Sequence, residues 1–405
     1  MDILFLSPDY PTDMPMFVAG LASVGARVIG VGDQHLDALT TQTRDSLWKY
    51  IQILGWADEN AVVAQLHDEL RGWNVDLVET LWEPTMLLAA RLRQTLGVPG
   101  MTVDETVPFR DKGAMKRVVE AAGLRTPRSV VTTSKAGCRE AAEQIGFPII
   151  IKPISGAGSA DTHRIETVGE LEAALGVLDH IAEVSVEEFI TGEEFTYDTV
   201  CAGGEILFEN VCEYRPNPLI GKQVEWISPQ VLVHRDLTTD KMSYGVELGR
   251  SVIAAMGFQA GFTHMEWYRK DDGEVVFGEI GARSAGGRLP DLMNFSCDTD
   301  VYVGWAEAVC HGTFSQPTER RYNVGQIIKR AQGSGIITRV EGVDRVLAQY
   351  GDHVVNVDLL PVGSPRRDWQ ATVLSDGVIV VRHVDLDAVI AMSDDIAANV
   401  HLYCD

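Results

Sequence analysis

The stretch His264-Met265-Glu266, followed by Gly278-Glu279-Ile280-Gly281-Ala282-Arg283-Ser284-Ala285-Gly286-Gly287-Arg288, decides how this chain is read. Glu266 and Glu279 are thirteen residues apart, near the ends of two short apolar runs, 261–267 and Val275-Val276-Phe277. Asp271-Asp272-Gly273 lies between the runs and predicts a hairpin turn. Such positions can face each other across a hairpin ladder. Two adjacent carboxylates repel unless positive charge sits between them. A hard divalent cation does that, and Mg²⁺ takes one or two protein carboxylates and leaves its other positions to phosphates and water. Arg283, four residues past Glu279, is expected to bring a guanidinium fork to the same place. The plainer alternative is an exposed acidic hairpin in an acidic protein, so the rest of the chain has to decide.

With 405 residues, the chain is expected to form two or three domains. Its 45% apolar and 23% charged content is that of a soluble globular protein. No apolar run reaches membrane-spanning length and no signal-peptide pattern opens the chain, so a cytoplasmic protein without a membrane partner is expected. A net charge of −24 argues against a nucleic-acid partner. A local basic site for an anionic substrate is still compatible with that charge. Cys138, Cys201, Cys212, Cys297, Cys310 and Cys404 include no Cys-x-x-Cys pair and no zinc-finger spacing, which reads as reduced thiols.

Residues 1–108 alternate strand and helix signals: strands at 3–6, 27–31 and 75–79, helices at 16–25, 61–72 and 86–96, the last closed by Gly97. This alternation predicts a doubly wound parallel sheet. Gly30-Val31-Gly32 is not a dinucleotide fingerprint, because the third glycine is missing and the motif ends the second strand. Asp111-Lys112 opens a helix to 122, 129–132 is a strand, Ser134 caps a helix to 145, and 147–153 is a buried strand ending in Lys152-Pro153. Ser155-Gly156-Ala157-Gly158-Ser159 follows as a small loop. Helices are expected at 170–178, 242–256 and 301–310, and a strand at 185–190. From about 320, short strands separated by glycine turns predict a small α+β region.

Lys152 beside a Gly/Ser loop suits phosphate, since the ammonium is a compact charge and glycine lets backbone N–H groups approach. It is not a Walker loop, because the lysine precedes the glycines. An ordinary surface turn is the alternative. The order Asp111-Lys112, Ile151-Lys152-Pro153 with Gly156 and Gly158, Val186-Glu187-Glu188-Phe189-Ile190, Glu194, Glu266, then Glu279 with Arg283 resembles the ATP-grasp superfamily. That superfamily includes D-alanine–D-alanine ligase, biotin carboxylase and the bacterial L-amino acid (dipeptide) ligases.

The resemblance implies an α/β and α+β ATP-grasp fold. A βα domain would span 1–108, an ATP-grasp domain 109–319 with a lid at about 124–188, and a small α+β domain 320–405. It implies that Lys112 and Lys152 hold nucleotide phosphates under a loop containing Gly158 and Ser159. Glu187, Glu188, Phe189 and Ile190 would line adenine, and Glu194 would bind ribose. Glu266 and Glu279 would ligate one or two Mg²⁺ ions, with Mn²⁺ as a substitute. Many members carry Glu-x-Asn-x-Arg at the second acid. Here Gly281 stands at the Asn position, which puts a second ion in doubt. The small residues around Arg283 and the Gly286-Gly287 pair look closest to the dipeptide-ligase branch.

In that branch Arg283 would hold the reacting carboxylate or acyl phosphate, so the expected catalytic set is Lys152, Glu279 and Arg283. Gly286, Gly287, Arg288, Glu225 and His264 are further substrate candidates. Three of these have a plainer reading: His264 as a structural histidine, Arg288 as a partner for a surface acid, Glu225 as a solvated side chain. The resemblance implies an ATP-dependent carboxylate–amine ligase that forms an amide or peptide bond with an amino acid substrate: an acyl phosphate forms, an amine attacks, and ADP and phosphate leave. Small-molecule carboxylate and amine substrates and a homodimer are expected. The alternatives are a bicarbonate-activating carboxylase like biotin carboxylase and, from another class, a catalytically inactive nucleotide-binding regulatory module.

Overall fold

The computed structural model describes residues 1–153, 163–177 and 183–405. Four parallel strands form the N-terminal sheet in the order Leu47–Gln52, Arg27–Gly32, Asp2–Leu6, Leu77–Glu79. Side chains of the first strand alternate between two cores. Leu4 and Leu6 pack with Leu66, Leu88 and Leu92, whereas Ile3 and Phe5 pack with Phe17 and Trp305. Both faces are therefore covered, as a doubly wound sheet requires. The strand Leu47–Gln52 has no counterpart in the sequence reading. It is an edge strand with only Ile51 buried, so its apolar alternation is weak.

A second unit is an antiparallel sheet ordered Ser129–Thr132, Val184–Glu188, Ile149–Pro153, His163–Ile165. Helices Lys135–Ile145 and Val168–Val177 pack on it and close its own small core of Ile149, Ile151, Leu171 and Val186. The Gly/Ser loop, including Gly158 and Ser159, lies outside the described residues.

The largest sheet has eight antiparallel strands. Their order is Val275–Gly281, Gly261–Arg269, Glu193–Ala202, Glu205–Arg215, Gln230–Val233, Asn323–Ile328, Gly377–His383, Val354–Leu359. Residues on both sides of position 320 thus share one sheet. The helices Leu289–Cys297, Val343–Tyr350 and Leu386–Asn399 were not singled out from sequence. Among the described residues, no helix is long and apolar enough to cross a membrane.

The helix Asp240–Ala255 lies close on one face of this sheet. A Cβ on Gly245 would come 2.2 Å from the Trp267 ring, and one on Gly249 would come 2.2 Å from Tyr197. Four residues apart, the two glycines form a flat strip against which the aromatic face seats. Phe195 stacks on Trp267 there with ring centroids 4.4 Å apart, worth about 0.5–1.5 kcal/mol beyond area burial. This packing fixes the strands whose opposite face carries the charged groups.

Candidate active site

Residues 194, 196 and 198 of one strand and 264, 266 and 268 of the next share a face, because side chains alternate along a strand. The ladder pairs Thr196 with Glu266 and Asp198 with His264. Across the hairpin, Glu266 pairs directly with Glu279, and His264 with Gly281. The expected facing of the two acids is therefore present. It depends on a feature the sequence did not reveal. Phe277 and Glu279 are two apart and would share a face in a regular strand. A bulge between Trp267 and Glu266 leaves Gly278 unpaired, so Phe277 enters the core while Glu279 joins the acidic face. A Cβ at Gly278 would lie 2.8 Å from the Glu266 carbonyl oxygen, so glycine is needed there.

Lysines meet these acids from two sides. Lys112, at the start of the helix Lys112–Ala121, places Nζ 2.6 Å from Glu279 Oε2. Burial works against its charge, but Glu279 outweighs that and raises its pKa. On the small sheet, Lys152 Nζ lies 2.7 Å from Glu187 Oε2. Lys116, one turn beyond Lys112, brings its ammonium to 3.0 Å from the same oxygen. Burial opposes ionisation of Glu187, yet the two lysines hold its carboxyl down at about 2. Glu187 thus bridges the small sheet and the large unit by its side chain.

Glu194 accepts from Asn217 Nδ2 at 2.7 Å. Burial, with Glu266 and Glu279 nearby, pushes its carboxyl up to about 8. Glu266 and Glu279 therefore share one sheet face beside a neutral Glu194, and Lys112 neutralises only one of that pair. That surplus negative charge fits a divalent cation. Among the described residues, no group of three or more His, Cys, Asp or Glu is arranged to hold a metal alone. Two protein carboxylates completed by phosphate oxygens and water match the habit of Mg²⁺.

His264 places Nδ1 2.6 Å from the fully buried Asp198 and Nε2 3.8 Å from Glu266. Burial would lower its pKa, but Asp198 outweighs it and raises it to about 9. Arg283 Nε donates to Glu83 Oε2 at 3.0 Å, and its Nη1 donates to the Ser284 carbonyl. Glu83 also receives Arg110, so an N-terminal carboxylate holds the arginine over the site. A Cβ at Gly281 would meet Arg283 Cγ at 3.3 Å, so the missing Asn leaves room for the arginine stem.

Other candidates are engaged differently. Glu188 pairs with Arg125 and Arg128 where the small sheet joins the body. Arg164 lies over the Phe189 ring, and Ile190 is buried. Glu225 pairs with Arg366, not with any member of the acidic cluster. Arg288 has φ 60° and pairs with Asp291 and Asp358, and the adjacent Gly287 has φ 67°. A Cβ on Gly286 would meet open space. Lys116, Asp198, Asn217 and Glu83 were missed from sequence. Only Lys116 had a readable signal, its spacing of four from Lys112 on one helix.

A family model described as an ATP-grasp domain matches residues 145–291. An L-arginine-specific L-amino acid ligase of Bacillus subtilis is 29% identical over 225 residues, covering 54% of each chain. A D-alanine–D-alanine ligase of Ectopseudomonas mendocina (strain ymp) is 35% identical over 119 residues, which is 29% of this chain and 37% of that one. The chain thus spans about half the length of the first relative, 54%, and less of the second. The crystal structure of an L-amino acid ligase from Bacillus licheniformis matches with a TM-score of 0.78 over 100% of this chain and 99% of that one, at 19% identity. The family model places an ATP-grasp domain at residues 145–291, which carry Lys152, Glu187, Glu194, Glu266, Glu279 and Arg283, and the likeness to the solved ligase shows that the whole chain has the ATP-grasp fold.

Proposed function

We propose that the protein is an ATP-dependent carboxylate–amine ligase that joins an amino acid to another amine and releases ADP and phosphate. The observation that carries this reading is the direct pairing of Glu266 with Glu279, with Lys112 on the second acid. Binding adenine alone would need neither acid. The relatives named as amino acid ligase and D-alanine–D-alanine ligase support it.

A carboxylate is a poor electrophile because its leaving group would be oxide. Transfer of the γ-phosphoryl group to a carboxylate oxygen supplies phosphate as the leaving group. The amine then attacks the carbonyl carbon, loses a proton, and phosphate departs. Glu266 and Glu279 would hold Mg²⁺, which when bound neutralises charge on the β- and γ-oxygens. Lys112 and Lys152 would hold phosphate oxygens, exchanging their present carboxylate partners for the nucleotide. Arg283, oriented by Glu83, would present its fork to the acyl phosphate. Glu194 would accept from the ribose hydroxyls. The sheet of 129–132, 149–153, 163–165 and 184–188 would act as a lid that excludes water from the acyl phosphate.

The test is an ADP- and phosphate-release screen of amino acids, singly and in pairs, with ATP and Mg²⁺. Substrate-dependent ADP release is expected. ATP binding without turnover on any carboxylate and amine pair would favour an inactive nucleotide-binding module.

A further inference from the structure

The N-terminal sheet has a second concave site. Its strand order runs from Asp2–Leu6 outward to Arg27–Gly32 and Leu47–Gln52 on one side and to Leu77–Glu79 on the other. The order reverses beside the first strand, and open α/β sheets bind ligands outside the carboxyl ends of their strands at such a point. A cavity of about 260 Å³ lies there. Its walls include Tyr10, Tyr50, Trp56 and Trp82, and its charged lining residues are Asp9 and Asp33, with no Lys, Arg or His.

The two carboxylates differ. Asp9 is committed to structure: it accepts from Thr40 N, Thr40 Oγ1 and Thr43 Oγ1 at the start of the helix Thr41–Ser46. Asp33 is exposed and has no hydrogen bond or ion pair among the described residues. Trp82 packs edge-on against both Tyr10 and Trp56, with centroids 5.4 and 5.8 Å apart. Two backbone features shape the cavity. Ser7 is held at φ 58°, an uncommon conformation for a residue with a side chain. Gly32 admits the Tyr50 hydroxyl, which would lie 2.5 Å from a Cβ there. Burial, with Asp33 and Asp9 beside it, pushes that hydroxyl up to about 12, which shows the sign of the local field.

Aromatic faces and unpaired carboxylate together select a cation, which gains from both ring quadrupole and opposite charge. The cavity also adjoins the charged cleft. Trp82 lines it, and the next residue, Glu83, holds Arg283. We propose that this cavity is a specificity subsite for the ammonium or guanidinium end of a basic amino-acid substrate. Its role as a substrate subsite rests on the ligase reading; its cation selectivity does not.

The test is calorimetric titration of the full chain with L-arginine, L-lysine and the uncharged isostere L-citrulline, with and without a non-hydrolysable ATP analogue. Arginine or lysine should bind at least tenfold more tightly than citrulline. Asp33→Asn should remove that preference and leave binding of the ATP analogue unchanged. Asp33 is exposed and makes no contact that folding needs, and Trp56→Leu gives an independent check on the aromatic wall. Equal binding of citrulline and arginine, or an unchanged preference in Asp33→Asn, overturns the subsite. Ligase activity confined to neutral amino acids also overturns it while leaving the ligase reading intact. Charge-selective binding without ADP release from any substrate pair supports the cation site and sinks the ligase reading.

Discussion

The strands Glu193–Ala202 and Gly261–Arg269 carry opposite chemistry on their two faces. One face presents Phe195, Tyr197, Met265 and Trp267, all fully buried under the helix Asp240–Ala255. The other presents Glu194, Asp198, His264 and Glu266, then turns apolar at Val200, Ala202 and Phe262. The packed face has no unmet demand. On the charged face, burial and then the neighbouring Glu266 and Glu279 hold Glu194 protonated, while Glu279 keeps Lys112 and Asp198 keeps His264 as local cations. Dense aromatic packing on one side thus supports an arrangement that would otherwise spread apart on the other.

The sharpest way to break this contrast is to remove charge without changing shape. Glu279→Gln should keep the fold and the melting temperature near those of the unaltered protein. Its ADP release should fall at least roughly 10³-fold, about 4 kcal/mol of transition-state stabilisation. Near-normal turnover at ordinary Mg²⁺ would remove Glu279 from the site. Arg283→Lys keeps the charge but loses the bidentate fork. It should bind ATP normally and lose ~2–4 kcal/mol in kcat/KM, as when an oxyanion donor is removed. Full activity in that variant would end the role given to Arg283.

Titration separates the two faces in another way. The pKa of His264 is raised from the usual 6.5 to about 9. Its stabilisation is therefore complete below pH 6.5 and is lost as pH rises through 9, at most about 3 kcal/mol. Glu194, raised from 4.5 to about 8, adds loss in the same direction between those values. Urea unfolding of the nucleotide-free protein should show stability falling from pH 6.5 to 9. His264→Gln should flatten that slope, and an unchanged slope would mean that the His264–Asp198 pair does not set it. The smallest effect is expected at the bulge that joins the faces. Gly278→Ala forces a Cβ to 2.8 Å from the Glu266 carbonyl and should cost ~1–3 kcal/mol of stability.

Much of the charged face was legible because its parts are local. The Asp-Asp-Gly turn set the hairpin, and the hairpin set Glu266 opposite Glu279. Lys112 and Lys152 announced themselves by position at a helix start and a strand end. Asp198, Glu83 and Asn217 were not legible, since each meets its partner through long-range folding. Asp198 and His264 are 66 residues apart, and Glu83 and Arg283 are 200 apart. The bulge was hidden too, because Gly278 reads as an ordinary strand residue until the register is known. The edge strand Leu47–Gln52 escaped because only Ile51 of its six residues is buried, which leaves little apolar alternation to read.

The most direct test of the central claim is a trapping experiment with the unaltered protein. ATP, Mg²⁺, an amino-acid carboxylate donor and hydroxylamine are combined, and the nucleotide and acyl products are identified. An acyl phosphate reacts with hydroxylamine, so a hydroxamate should form in step with ADP and phosphate. AMP and pyrophosphate in place of ADP would contradict the account.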